Sequence, residues 1–248
     1  MASPEEPPSR EGRAWFSTTH WSVVLKARSP DEAESRDALS ALCQAYWSPV
    51  FSYIRHRGHD PETARDLTQG FFAAILGRRG IAEARQERGR FRSFLLASVK
   101  NFLSDESDYR NALKRGGGQT PISIDADTLE AALAAEALAT QVTPETLFEQ
   151  RWALALLDHV MRDLEREMEG AGGAARFRKL SPYLVGDADP PYPVLARDLG
   201  ITETGVRVAL HRMRQRFGAK LHDHVAQTLD DPDKTEDELR YLMGLMHA

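Results

Sequence analysis

The chain of 248 residues has a single cysteine, Cys43, and can therefore form no internal disulfide, which fits a reducing compartment. Cys43 lies in ALSALCQAYW among apolar positions, so a buried structural thiol is expected there. No apolar run approaches the roughly 20 residues that a membrane-spanning helix needs. The opening MASPEEPPSREGR is polar and proline-rich, without an apolar signal region. The expected location is the cytoplasm, with no membrane partner. A phosphate-binding loop, HExxH and GxSxG are all missing. Gly116-Gly117-Gly118 is not followed by the lysine of a strand–loop–helix phosphate site and reads as a linker. Asp158-His159 has no nucleophile near it in sequence, and His222 and His224, two apart on a helix, point about 200° from each other. The expectation is a protein that is no enzyme, with no small-molecule substrate, no cofactor and no metal.

Strand alternation is missing as well, and almost every segment carries helical periodicity. The expected fold is all-α: two helical domains joined by an acidic linker, and a short C-terminal helix. Residues 1–14 are expected to be disordered. Ser29-Pro30-Asp31-Glu32 reads as a helix start, with Ser as cap and Pro at the first position, opening a helix to about Tyr46. Asp60-Pro61-Glu62 repeats the start and leads into Leu67, Phe71, Phe72 and Ile75. A third helix begins near Arg90. The first domain covers 15–115. Residues 116–146 form the linker, with Pro121, Pro144, many alanines and Leu129–Leu138 as a helical stretch. The second domain, 147–229, opens with a helix over 147–168 and includes a short helix around Phe177–Leu184. An extension, 230–248, carries Leu239, Leu242, Leu245 and Met246 on a helix from Thr235.

The most informative stretch is Ala196–Phe217, ARDLGITETGVRVALHRMRQRF. A short helix with Val194, Leu195 and Leu199 on one face runs into Gly200. A buried Ile201 and a capping Thr202 follow, then a helix in which Val206, Leu210, Met213 and Phe217 form one apolar stripe. Arg207, His211, Arg212, Arg214 and Arg216 occupy the other side, and no acid occurs between Gly205 and Lys220. This is the pattern of a helix-turn-helix whose second helix enters a DNA major groove. Arg207, His211 and Arg212 would reach bases or phosphates, and Arg214, Arg216 and Lys220 would hold the backbone.

The net charge of −5 conceals an uneven distribution. Residues 76–115 hold ten basic and five acidic residues, net +5, and 205–220 hold five basic and no acidic ones, net +5. Residues 121–150 are net −6 and 222–248 net −5. Such local patches, rather than the sum, set where a polyanion docks. In the first basic block Arg and Phe interleave between Arg88 and Phe102. Exposed, these rings would stack on single-stranded bases; buried, Phe91, Phe94 and Phe102 are simply core, and core is the expected reading for each.

Two basic helical blocks, an acidic connector and a C-terminal helix-turn-helix resemble the extracytoplasmic-function sigma factors of bacterial RNA polymerase. The resemblance rests on His20-Trp21-Ser22-Val23-Val24-Leu25, Tyr46–Gly58, Asp66–Phe72, Arg90–Glu106, Arg115–Gly118 and Glu238–Leu242, and spans roughly residues 15–246. It implies that the Asp60–Leu76 helix binds the clamp helices of core RNA polymerase, through Asp66, Leu67, Gln69 and Phe72. It implies that Glu87–Arg110 recognises and melts the minus-ten element, with Arg90, Arg92, Lys100, Asn101, Tyr109 and Arg110 on the DNA. Asn101 can both donate to and accept from a base edge, and capture of flipped bases offsets an unstacking cost of a few kcal/mol. The second domain would bind the minus-thirty-five element through Thr202, Arg207, Val208, His211, Arg212 and Arg214. Promoter DNA and core polymerase are the implied partners, and an anti-sigma protein is a further candidate.

The chain departs from the pattern in three places. Gln69-Gly70 stands where Gln-Glu is common, Ala209 where a basic residue is common, and Ser104–Tyr109 is net −3 where arginines are usual. Two alternatives therefore stand beside the resemblance: a free-standing helix-turn-helix regulator, and a sigma-like adaptor that melts no DNA. The extension 230–248 either packs on the second domain or covers a basic DNA-binding face and docks its Leu/Met side in a groove.

Overall fold

The computed structural model describes residues 21–75, 80–116, 142–169, 173–184 and 191–246; the side chains of 82, 88 and 110–116 are also outside the description. The expected disorder of 1–14, most of the linker and its helical stretch Leu129–Leu138 lie outside these residues. Within them the architecture is all-α, with no strand. The helices are α1 (Trp21–Lys26), α2 (Glu32–His56), α3 (Pro61–Ile75), α4 (Phe91–Gly116), α5 (Pro144–Glu167), α6 (Gly173–Leu180), α7 (Tyr192–Leu199), α8 (Glu203–Ala226) and α9 (Thr235–Leu245). Single 3-10 turns occur at Ile81–Glu83, Gln86–Arg88, Ser181–Leu184 and Pro232–Lys234. No helix among the described residues is long and apolar enough to cross a membrane.

Helix starts follow the capping chemistry, with one shift. The cap of α2 is Asp31, not Ser29: its carboxylate accepts from the backbone N–H of Ala33 and Glu34 at 2.9 and 3.2 Å. A carboxylate at the positive end of a helix adds a charge–dipole attraction to the capping hydrogen bonds. Asp60 caps α3 in the same way through Glu62 and Thr63, and the hydrogen bonds from Thr63 hold its carboxyl below the usual range.

Helix α2 does not stop near Tyr46. It continues through Pro49 to His56. An interior proline costs about 3 kcal/mol. Val50, Phe51, Tyr53 and Ile54 beyond it are all buried, and each contributes about 1.5–3 kcal/mol, so burial outweighs the lost hydrogen bond.

Side chains pack into two cores. The larger takes α1–α4, Phe148, Trp152, Leu156 and Val160 of α5, Val225 at the end of α8, and Leu242 and Leu245 of α9. The smaller joins Leu164 of α5 to Phe177, Leu180, Tyr183, Leu195, Val206, Leu210 and Met213. Helices α5 and α8 thus each run through both cores. Most of the apolar side of α5 packs on α2, across the expected division at residue 147. Phe91 is buried, edge-on to Trp21 and Tyr46, and Phe94 and Phe102 are partly buried against the same core, so the core reading of these rings holds. Cys43 is half-buried against it too, and burial pushes its thiol pKa up.

Candidate nucleic-acid interface

Local chain chemistry builds the turn between α7 and α8. Gly200 ends α7 in the left-handed region at φ +65°, which a residue without a Cβ adopts freely. Its N–H donates to Arg197 O at 3.1 Å and the N–H of Ile201 to Ala196 O at 3.0 Å, the two bonds of a Schellman cap. Thr202 then caps α8 by accepting from Gly205 N–H at 3.0 Å. A Cβ on Gly205 would sit 3.3 Å from Thr202 Oγ1 and 3.4 Å from Ile201 Cβ, so this close turn favours glycine there as well.

The turn sets the register of α8. Val206, Leu210 and Met213 go into the smaller core with Leu195, while Ile201 is partly rather than fully buried. Val194, expected on the apolar face of α7, is exposed. On the open side of α8, Thr202, Arg207, Val208, His211, Arg212 and Arg214 are all exposed. Arg207 stacks over Tyr192 at 5.9 Å. Arg214 donates to Tyr183 O at 2.7 Å, which ties α8 to the Ser181–Leu184 turn. Arg216 and Lys220 sit 3.8 and 2.9 Å from Glu167. A groove of about 720 Å³ runs between α6 and the first half of α8, rimmed by Arg176, Arg212 and Arg216 and floored by Leu180, Ala209 and Met213. Ala209, at a position where the sigma pattern commonly has a basic residue, is part of that floor.

The other sequence-derived candidates divide by exposure. On α3, Asp66 and Gln69 face solvent, whereas Leu67 and Phe72 are buried, with Phe72 stacked on Trp47 at 5.9 Å. Leu67 and Phe72 are therefore core residues here, not a docking surface. A Cβ on Gly70 would lie 3.4 Å from the ring of Phe102, so a side chain there would meet α4.

Arg92 is a correction to the minus-ten set. Its side chain is 1% exposed, bonded to Glu149 Oε2 at 2.6 Å and to Glu238, with its guanidinium 4.4 Å over Trp152. Burial works against its charge, and Glu149 and Glu238 more than restore it, leaving its pKa raised. Buried in this way, Arg92 is out of reach of DNA. Arg90 also bonds Glu238 and lies 5.9 Å over Tyr241 of α9. Lys100 pairs with Glu145 at 2.7 Å. Asn101 and Tyr109 stay exposed on α4, and the side chain of Arg110 is outside the described residues.

One cluster was not anticipated. His159 and Asp163 of α5 meet His224 of α8, with the two imidazoles edge to face at 4.8 Å. Burial pushes the His159 pKa down to about 4. The one-turn spacing of His159 and Asp163 is visible in the sequence; their approach to His224 is not. His222 faces Glu236 instead, at 4.0 Å, so His222 and His224 do diverge.

Comparison of the chain with protein-family models, with curated proteins and with solved structures returns no match.

Proposed function

We propose that this chain is a promoter-specificity subunit of the extracytoplasmic-function sigma type, a non-enzymatic protein that lends DNA recognition to core RNA polymerase in the cytoplasm. The observation that carries the reading is the α7–Gly200–Thr202–α8 unit with its exposed Arg207, Val208, His211 and Arg212. A helix fixed at its N-terminus by a three-residue turn, apolar on one side and basic on the other, fits a major groove. Arg176, Arg212 and Arg216 along the adjoining groove would meet backbone phosphates. Asp66 and Gln69 on the open face of α3 suit a polymerase contact, because they can be spent on a partner without disturbing the core.

A second reading is favoured by the ion pairs that Arg90, Arg92 and Lys100 make with this chain's own carboxylates, with Arg92 fully buried: a helix-turn-helix regulator that binds duplex through α8 alone. Co-elution of the purified chain with core polymerase on a sizing column separates the two. Stable co-elution that Asp66→Ala abolishes supports the sigma reading. Duplex binding without polymerase binding supports the regulator and overturns the sigma reading.

A further inference from the structure

Helices α5 and α8 cross behind the helix-turn-helix, and three ligand-bearing side chains converge at the crossing. His159 and Asp163 lie one turn apart on α5, and His224 reaches in from the last turn of α8. Both imidazoles turn Nε2 to the same oxygen, Asp163 Oδ2, at 2.9 Å from His224 and 3.4 Å from His159. All three ligand atoms lie within 4.8 Å of one another. We propose that His159, Asp163 and His224 form a site for a divalent cation of the zinc type, with water in a fourth position.

The geometry is close to what such an ion requires. Zinc bonds of about 2.0–2.2 Å at tetrahedral angles put neighbouring ligand atoms roughly 3.3 Å apart. One edge of the triangle, at 3.4 Å, already has that length, and a second, at 2.9 Å, needs only a small opening. The third closes by rotation of side chains that are already in contact.

The chemistry of the donors selects the class of ion. Two imidazoles and one carboxylate suit zinc and its transition-metal neighbours; calcium and magnesium take oxygen shells instead. The surroundings orient the ligands. Arg166 bonds the other carboxylate oxygen, Asp163 Oδ1, and so holds Oδ2 toward the two rings, as an outer-shell partner does. Arg162, the other nearby cation on α5, pairs with Asp158 on the outer face. His159 is buried, while Asp163 and His224 are only partly so, which leaves the cluster open to solvent on their side.

Bound there, the ion would tie α8 to α5, the two helices that run through both cores. It would stiffen the base on which the exposed face of α8 stands. The site requires neither DNA nor polymerase, so it stands or falls apart from the proposed function.

The test is titration of the chelator-stripped full chain with Zn²⁺ by calorimetry, and with Co²⁺ as a spectroscopic stand-in. The expected result is one ion per chain, intense four-coordinate Co²⁺ absorption and a higher thermal midpoint with Zn²⁺. His224→Ala and Asp163→Asn should each weaken binding by more than about tenfold, and His222→Ala should leave it unchanged. No stoichiometric binding by the wild-type chain overturns the proposal. So do weak six-coordinate Co²⁺ bands, or binding that survives in both folded variants. Absence of wild-type binding overturns the proposal whatever the variants do, and either variant that folds is enough to place the ion.

Discussion

Arg92 and Glu238 meet in the interior, their side chains 1% and 0% exposed. Arg92 stands in the first turn of α4 and Glu238 in the first turn of α9, so the contact joins distant stretches of chain into one core. Arg90 and Glu149 complete the group, two guanidinium ions against two carboxylates. Removing one member of a buried pair leaves an uncompensated charge and costs about 3–5 kcal/mol. Glu238→Ala should lower the stability of the chain by about that amount in urea unfolding followed by circular dichroism. Arg92→Met combined with Glu238→Leu should recover part of the loss: the most buried pair becomes apolar, while Glu149, 12% exposed, still loses its Arg92 partner. A double variant as unstable as Glu238→Ala would refute this account.

Arg207 and Arg212 stand on the open side of α8. Replacing both by Ala should weaken duplex binding by about 1–3 kcal/mol per residue that reaches a base. Where an arginine instead holds a phosphate, its removal should lower the slope of log K against log salt by about 1. Fluorescence anisotropy across a salt series measures both; affinity and slope both equal to wild type would count against α8 as the DNA-binding helix.

The capped turn before α8 can be probed without touching its basic face. Thr202→Ala removes the acceptor for Gly205 N–H and should cost about 1 kcal/mol. Gly200→Ala places a Cβ in the left-handed region and should cost about 1–2 kcal/mol. Nothing stands within 4 Å of that Cβ, so the loss should come from the backbone alone. Thermal unfolding would show two moderate decreases. Stability as high as wild type in Gly200→Ala would mean that the turn relaxes.

Asp66 and Gln69 lie on the exposed face of α3, beside buried Leu67 and Thr68. Asp66→Ala with Gln69→Ala should leave stability within about 0.5 kcal/mol of wild type. It should weaken co-elution with core polymerase while leaving duplex affinity unchanged. Loss of both activities together would point to misfolding.

The helix-turn-helix is readable in the sequence because each of its determinants is local. Gly200 ends one helix, Thr202 begins the next, and Val206, Leu210 and Met213 repeat at helical spacing. The fate of Arg90 and Arg92 is not readable in that way. In RGRFRSF they resemble a solvated basic patch, and only Glu149 and Glu238, far along the chain, draw Arg92 inside. Pro49 misleads for a related reason: local rules stop α2 there, whereas burial against α5 carries it on. The His159–Asp163–His224 cluster shares this character, since His159 and Asp163 lie one turn apart and His224 arrives only through the crossing of two helices.

The placement of α9 also orders events during synthesis. Leu242 and Leu245 fill a core whose other walls include Trp21, Tyr46 and Val99, and Glu238 adds the second carboxylate that Arg92 meets, after Glu149 of α5. A chain emerging from the ribosome exposes α1–α4 first, with an apolar gap and an unbalanced guanidinium on its inner side. That intermediate is the species a chaperone or a protease would meet. The larger core is completed only by α9, so a nascent chain stalled before residue 235 should leave that core open, while the smaller core, which takes nothing from α9, can already close.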